Sequence, residues 1–209
     1  MTGTASQKIG RLVAGLALHP GYLARYLRHN LRDGHSPLDL EIPWFSYAAI
    51  DYLETWLQPN MSVFEFGSGG STLFFAQRTK HVSAVENERA WFERVSQRLQ
   101  EKSIHNVEIQ WRPFDVKNPA HFEHSDYLKA MGGTSFDVIV VDGAEEWTQV
   151  RPICFQHAEQ RVNPGGIIIV DDSWRYTKLS SGSKAKRHQV FRSVGPCRPG
   201  VTSTDLYFY

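Results

Sequence analysis

At 209 residues the chain suits one domain large enough to bury a real core. With 41% hydrophobic and 22% charged residues it has a globular composition, which excludes a disordered tail. A formal net charge of +1 gives no electrostatic case for nucleic acid as a partner.

Cys154 and Cys197 lie far apart with no metal-type spacing and fit a reducing compartment. The apolar run at 12–18 follows Lys8 and Arg11, but it is short, ends at His19-Pro20 and has no convincing cleavage site. No stretch approaches the roughly 20 apolar residues that span a bilayer, so an integral membrane segment is not expected and a cytoplasmic location is.

Residues 1–40 read as an N-terminal helical extension and 41–209 as the main domain. In the extension, Tyr22, Leu23, Tyr26, Leu27 and Leu31 form an apolar stripe at helical spacing, and Gly34 is a plausible stop. Arg25, Arg28, His29 and Arg32 make the other faces basic, which suits solvent, a membrane surface or an acidic partner. Ser46 reads as the N-cap of a helix over 48–57 that Pro59-Asn60 ends. Trp44, Phe45 and Tyr47 before it suit either the core or the roof of a ligand pocket.

Strands are then predicted at 62–66, 82–85, 107–111, 136–141 and 166–170, alternating with helices at 71–78, 88–102, 121–131 and 148–162. That rhythm predicts a parallel sheet with helices on both faces. After a basic, Ser- and Gly-rich stretch at 178–188, runs at 190–194 and 202–209 flank a Gly-Pro and Pro-Gly turn region and predict an antiparallel hairpin. The aromatic C-terminal edge Tyr207-Phe208-Tyr209 could support a homodimer.

The most informative segment runs from Glu65 through Gly67, Ser68, Gly69, Gly70 and Ser71 to Thr72. A strand enters a glycine turn and leaves as a helix, which brings a ligand close to main-chain N–H groups. About 20 residues on, the next strand ends in Glu86-Asn87, where an acid can accept hydrogen bonds from ribose hydroxyls. Thr72 stands where the third glycine of a dinucleotide fingerprint would be. The bland alternative is a tight turn with a capping acid.

The Glu65-x-Gly67-x-Gly69 form resembles motif I of the class I, Rossmann-like, S-adenosylmethionine (SAM)-dependent methyltransferases. The motif order extends the resemblance over 43–209, including Glu86, Asp142 at the end of strand four, and Asn163-Pro164-Gly165-Gly166 opening strand five. It implies a Rossmann-like α/β fold whose open parallel sheet is closed by a C-terminal antiparallel hairpin, with SAM as cofactor. Glu65, Gly67 to Thr72, Glu86, Asn87, Asp115 and Asp142 are then the expected cofactor contacts. Trp111 to Asp115, after strand three, would lie near adenine or else form core and surface turn.

Asp142, Asp171 and Asp172 converge on the carboxyl ends of strands four and five. Their arrangement partly resembles the Mg²⁺ site of the catechol and caffeoyl-CoA O-methyltransferases. Asp172 replaces the Asn of that site, and Glu145 stands where the catechol enzymes have their lysine base. Asp142, Asp171 and Asp172 are therefore candidate metal ligands. Alternatively, Asp142 and Asp171 contact the acceptor or act as base without metal, or all three cap turns. His188 and the basic run at 184–187 suit an acidic acceptor or a solvated loop, whereas His121 and His124 read as surface residues.

The expected function is SAM-dependent methyl transfer to a small-molecule acceptor, directed at oxygen, by in-line displacement. The rivals are an NAD(P)-dependent oxidoreductase, which lacks its third glycine and any Tyr-x-x-x-Lys here, and a non-catalytic SAM-binding domain. An aminopropyl transferase would be a variant on the same fold.

Overall fold

The computed structural model describes residues 5–31, 36–115, 119–144 and 149–209. Seven strands form one sheet: β1 (Ser62–Phe66), β2 (His81–Glu86), β3 (Val107–Trp111), β4 (Phe136–Val141), β5 (Val162–Asp171), β6 (Arg187–Val194) and β7 (Val201–Phe208). Their order is β3-β2-β1-β4-β5-β7-β6. The first five are parallel, and β7 runs antiparallel to both β5 and β6. The order reverses between β1 and β4, and a ligand crevice belongs at the carboxyl ends of strands at such a point.

The helices are α1 (Ala5–Leu18), α2 (Leu23–Asn30), α3 (Pro37–Leu40), α4 (Tyr47–Trp56), α5 (Gly70–Ala76), α6 (Arg89–Glu101), α7 (Pro119–Phe122), α8 (Val150–Ala158) and α9 (Leu179–Gly182). Alternate strand residues feed two cores. Val63, Val138, Val140, Ile167 and Ile169 pack with Ile50 and Leu53 of α4 and Phe74 and Phe75 of α5. Phe64, Phe66, Ile139, Val141, Ile168 and Val170 pack with Val150, Cys154 and Phe155 of α8. Burial on both faces is why these strands read as unbroken apolar runs.

The capping expectation at α4 is met. Ser46 accepts from the Ala49 N–H at 3.3 Å, its own N–H donates to Thr204 Oγ1, and its hydroxyl donates to the Phe191 carbonyl. Phe45 and Tyr47 are buried in the core, whereas Trp44 stays half exposed beside Arg198. Leu12 and Leu16 of α1 pack against the core near Val194, so the N-terminal helix lies along the hairpin.

Three expectations are corrected. The helix over 121–131 is two short pieces, α7 and a 3₁₀ turn at Leu128–Met131, because Ser125 Oγ takes the Leu128 N–H and Gly132-Gly133 follows. The helix over 148–162 ends at Ala158, since Val162 already pairs with Phe136 and begins β5. β5 thus starts before Asn163-Pro164-Gly165, and the β4–β5 register is irregular there, which is where a sheet tolerates proline. Finally, Tyr207 and Phe208 lie on an inner strand paired along both sides, so the exposed edge is β6 rather than the C-terminal aromatics. Gly34, Arg32 and Glu145 lie outside the described residues. Among the described residues no helix is long and apolar enough to cross a membrane.

Candidate active site

The loop between β1 and α5 is pinned from three directions. The Gly67 N–H donates to Val85 of β2, the Asp142 N–H after β4 donates to the Phe66 carbonyl, and Trp91 Nε1 of α6 donates to the Ser68 carbonyl at 2.7 Å. Gly67 has φ +99°, and a Cβ there would lie 3.0 Å from the Asp142 carbonyl oxygen. A Cβ on Gly70 would overlap the carbonyl oxygens of Pro37 and Ile42. Glycine at these positions is therefore a requirement of close packing. Thr72, in the place of the third glycine, turns its Oγ1 back to accept the Gly69 N–H at 3.0 Å and ties the loop to the helix.

Glu65 sits beneath this loop, 1% exposed, and its Oε2 has no hydrogen-bond partner. Burial pushes its carboxyl up to about 7, and nearby Asp142 adds to that, against hydrogen bonds from Thr72 and Ser71. Glu86 ends β2 on the other side. Its Oε1 accepts the N–H groups of Asn87 and Glu88, and its Oε2 accepts the N–H and hydroxyl of Ser68. Burial still raises its carboxyl above the ordinary value, with those hydrogen bonds opposing. Glu65, the loop, Ser71, Thr72, Glu86 and Asn87 are thus brought together. Beyond β3, Phe114 turns inward onto Phe122 and Tyr127, and Asp115 beside it is exposed.

At the ends of β4 and β5 the carboxylates meet partners of their own. Asp142 Oδ1 lies 2.9 Å from Arg151 Nη2. Asp171 is 1% exposed and accepts from Thr204 Oγ1 at 2.7 Å; burial, then Asp142, hold its carboxyl well above the usual range, with Arg198 opposing. Asp172, at φ +48°, accepts from Trp174 Nε1, Arg198 Nη1 and Thr202 Oγ1. Burial would raise Asp172, but Arg198 and those hydrogen bonds bring it below the ordinary value.

A divalent cation needs several oxygens turned to one point. Among the described residues no three His, Cys, Asp or Glu side chains are so arranged. Asp142 turns to an arginine, Asp171 to a threonine, and Asp172 to an arginine, a threonine and an indole. Among the described residues the three carboxylates thus turn to separate partners rather than to one point.

A family model described as a methyltransferase domain matches residues 64–173, more than half of the chain. The chain belongs to this family. Together with the sheet order, this makes the protein the class I, SAM-dependent methyltransferase expected from its glycine loop. Among solved structures, the methyltransferase is similar to the O-methyltransferase TomG of Streptomyces achromogenes, involved in tomaymycin synthesis and solved with SAM. That match has a TM-score of 0.64 at 18% identity and covers 94% of this chain and 97% of TomG. An rRNA methylase from Streptococcus thermophilus matches with a TM-score of 0.58 at 14% identity, covering 85% of this chain and 99% of that one. At these identities the likeness establishes a shared fold. No curated protein matches the methyltransferase by sequence.

Sequence reasoning missed two residues beside Asp142 and Gly143, Arg151 and Tyr127. Arg151 of α8 is buried and links three groups, donating to the carbonyls of Gly143 and Asp171 and pairing with Asp142. Tyr127 is buried between the strand ends, its hydroxyl without a partner. His188 lies 2.7 Å from Asp205, whose other oxygen accepts from Ser173. The ring of His188 stacks on Tyr207 at 4.4 Å, so it belongs to an ordered strand and not to a loose loop. His121 and His124 are exposed, as expected.

Proposed function

We propose that this methyltransferase transfers a methyl group to an oxygen of a small-molecule acceptor, with SAM held by Glu65, the Gly67 to Thr72 loop, Glu86 and Asn87. The observation that carries the reading is the buried, unpartnered Oε2 of Glu65 beneath the glycine loop. A buried carboxylate oxygen without a donor is costly, and the ammonium of a bound amino acid moiety would satisfy it. Glu86, already aligned by three backbone N–H groups, is the acid we assign to the ribose hydroxyls.

SAM, when bound, supplies a methyl group on a positively charged sulfur. The chain's own work is to bind, align and exclude water. Asp142 stands at the crevice, 24% exposed and oriented by Arg151, and is the carboxylate we assign to face the acceptor. Asp171, sealed under Thr204, is a positioning residue. The small size of the acceptor is supported by the near-neutral net charge, and oxygen as its target by the almost end-to-end match to TomG.

Calorimetric titration with SAM and with NAD(H) tests the reading. SAM should bind, and Glu86→Ala should weaken it about tenfold or more, the loss of one or more hydrogen bonds to a charged group. A preference for NAD(H), or SAM binding indifferent to Glu86→Ala, would overturn it.

A further inference from the structure

The cofactor loop leans on a side chain outside it. Trp91, in the first turn of α6, donates from Nε1 to the Ser68 carbonyl at 2.7 Å. Its ring lies against Gly69, with Cζ2 3.6 Å from the place a Cβ there would take. The Ser68–Gly69 peptide is thereby held from one side. From the other side the Ser68 N–H and hydroxyl both donate to Glu86 Oε2, at 3.2 and 3.0 Å. One indole thus sets the peptide that in turn sets the carboxylate assigned to ribose.

The indole is itself held by a segment remote in sequence. Leu38 of α3, 2% exposed, forms one buried cluster with Leu73 of α5 and Val95 and Leu99 of α6, and Trp91 packs against it. Arg94 lies over the Trp91 ring at 5.4 Å and reaches back to Asp39 of α3 at 3.6 Å. Just beyond α3, Glu41 accepts from Gln77 at 3.0 Å and pairs with Arg98 and Lys102. The carbonyls of Pro37 and Ile42 close the segment down onto Gly70. These contacts all land on α5, α6 or their C-caps, the two helices whose first turns carry the loop and Trp91. The ion pairs are partly exposed and contribute little, so Leu38 and the packing on Gly70 carry the attachment. Residues 36–42 lie outside the matched stretch 64–173, which therefore assigns them no role.

We propose that Trp91 is a positioning residue for the cofactor and that residues 36–42 are the clamp that keeps it in place, so that the loop and Glu86 are aligned before SAM arrives. Alignment in advance raises affinity by removing the cost of ordering the site on binding. The inference rests on the cofactor reading above.

The test is calorimetric titration with SAM. Trp91→Phe keeps a ring and removes the donor, and should weaken SAM binding about fivefold, the loss of one hydrogen bond of ordinary strength. A double-mutant cycle with Glu86→Ala separates positioning from packing. With the carboxylate gone, Trp91→Phe should add little to the loss, whereas two independent effects would multiply in full. Leu38→Ala loosens the clamp from beneath and should also weaken SAM binding, again with little further effect beside Glu86→Ala. Leu38→Val takes its place, with a smaller effect of the same sign, if Leu38→Ala does not fold. Trp91→Phe binding SAM as the parent does, or multiplying in full with Glu86→Ala, would overturn the positioning role. A folded Leu38 variant with parental affinity would overturn the clamp. A parent protein that binds no SAM would instead overturn the cofactor reading itself.

Discussion

Arg151 Nη2 lies 2.9 Å from Asp142 Oδ1 while Nη1 of the same guanidinium donates to the Asp171 carbonyl at 2.8 Å. One buried side chain from α8 thus holds the ends of β4 and β5 in register at the crevice. Arg151→Met should leave Asp142 and two carbonyls without their donor and lower the unfolding free energy by about 3 kcal/mol, the low end for a broken buried pair because Asp142 is partly solvated. Urea unfolding measures it, and a loss well under about 1 kcal/mol would reduce the arginine to a surface contact.

Burial pushes the Glu65 carboxyl up to about 7 from 4.5. The folded chain therefore binds that proton more tightly than the unfolded chain. The resulting stabilisation is fully present below about pH 4.5 and is lost as the pH rises through about 7. From this group alone, the ligand-free protein should lose roughly 3 kcal/mol of stability across that window. Glu65→Gln should remove this slope, and comparing the two proteins by urea unfolding at about pH 5 and about pH 8 isolates it. SAM binding, by placing a cation beside Glu65, should release a proton near neutral pH, visible as a buffer-dependent binding enthalpy.

Gly67→Ala meets two obstacles at once, a φ of +99° and an Asp142 carbonyl oxygen 3.0 Å from the new Cβ. The strained backbone should cost about 1–3 kcal/mol, and the loop should shift enough to abolish SAM binding. A melting temperature and SAM affinity equal to the parent would show that the loop is looser than its contacts imply.

Asp205 joins His188 of β6 to Ser173 in the turn after β5. Asp205→Ala should destabilise by about 1–3 kcal/mol, since Ser173 and His188 each lose a hydrogen-bond partner, Ser173 keeping only Ser203. His188→Gln should cost less than half of that, as the ring is partly exposed. Equal losses in the two variants would mean that the pair acts only as a unit.

The sheet was legible because its strands are buried on both faces and separated by helices of ordinary length. The cofactor loop was legible because Glu65 to Thr72 is local, its shape dictated by adjacent residues. The fate of the acids was not. Asp142 gained Arg151 and Asp172 gained Arg198, partners contributed by a different element, and an arginine in a helix or a turn reads as a solvated charge until the fold closes over it. The resemblance to a metal site matched the acids alone and took no account of the arginines that engage two of them. The break after α7 was equally hidden, because one serine hydroxyl competing for a backbone N–H decides it.

The position of β7 between β5 and β6 has a consequence for synthesis. Strand β5, with Ile167, Ile168, Ile169 and Val170 in succession, leaves the ribosome long before the segment that pairs with its outer side. Until residues 201–208 have emerged, β5 carries an open apolar edge and β6 has no neighbour in the sheet at all. The nascent chain thus passes through an interval in which its stickiest strand is unprotected, and a ribosome stalled before Val201 would release a fragment prone to edge-to-edge aggregation.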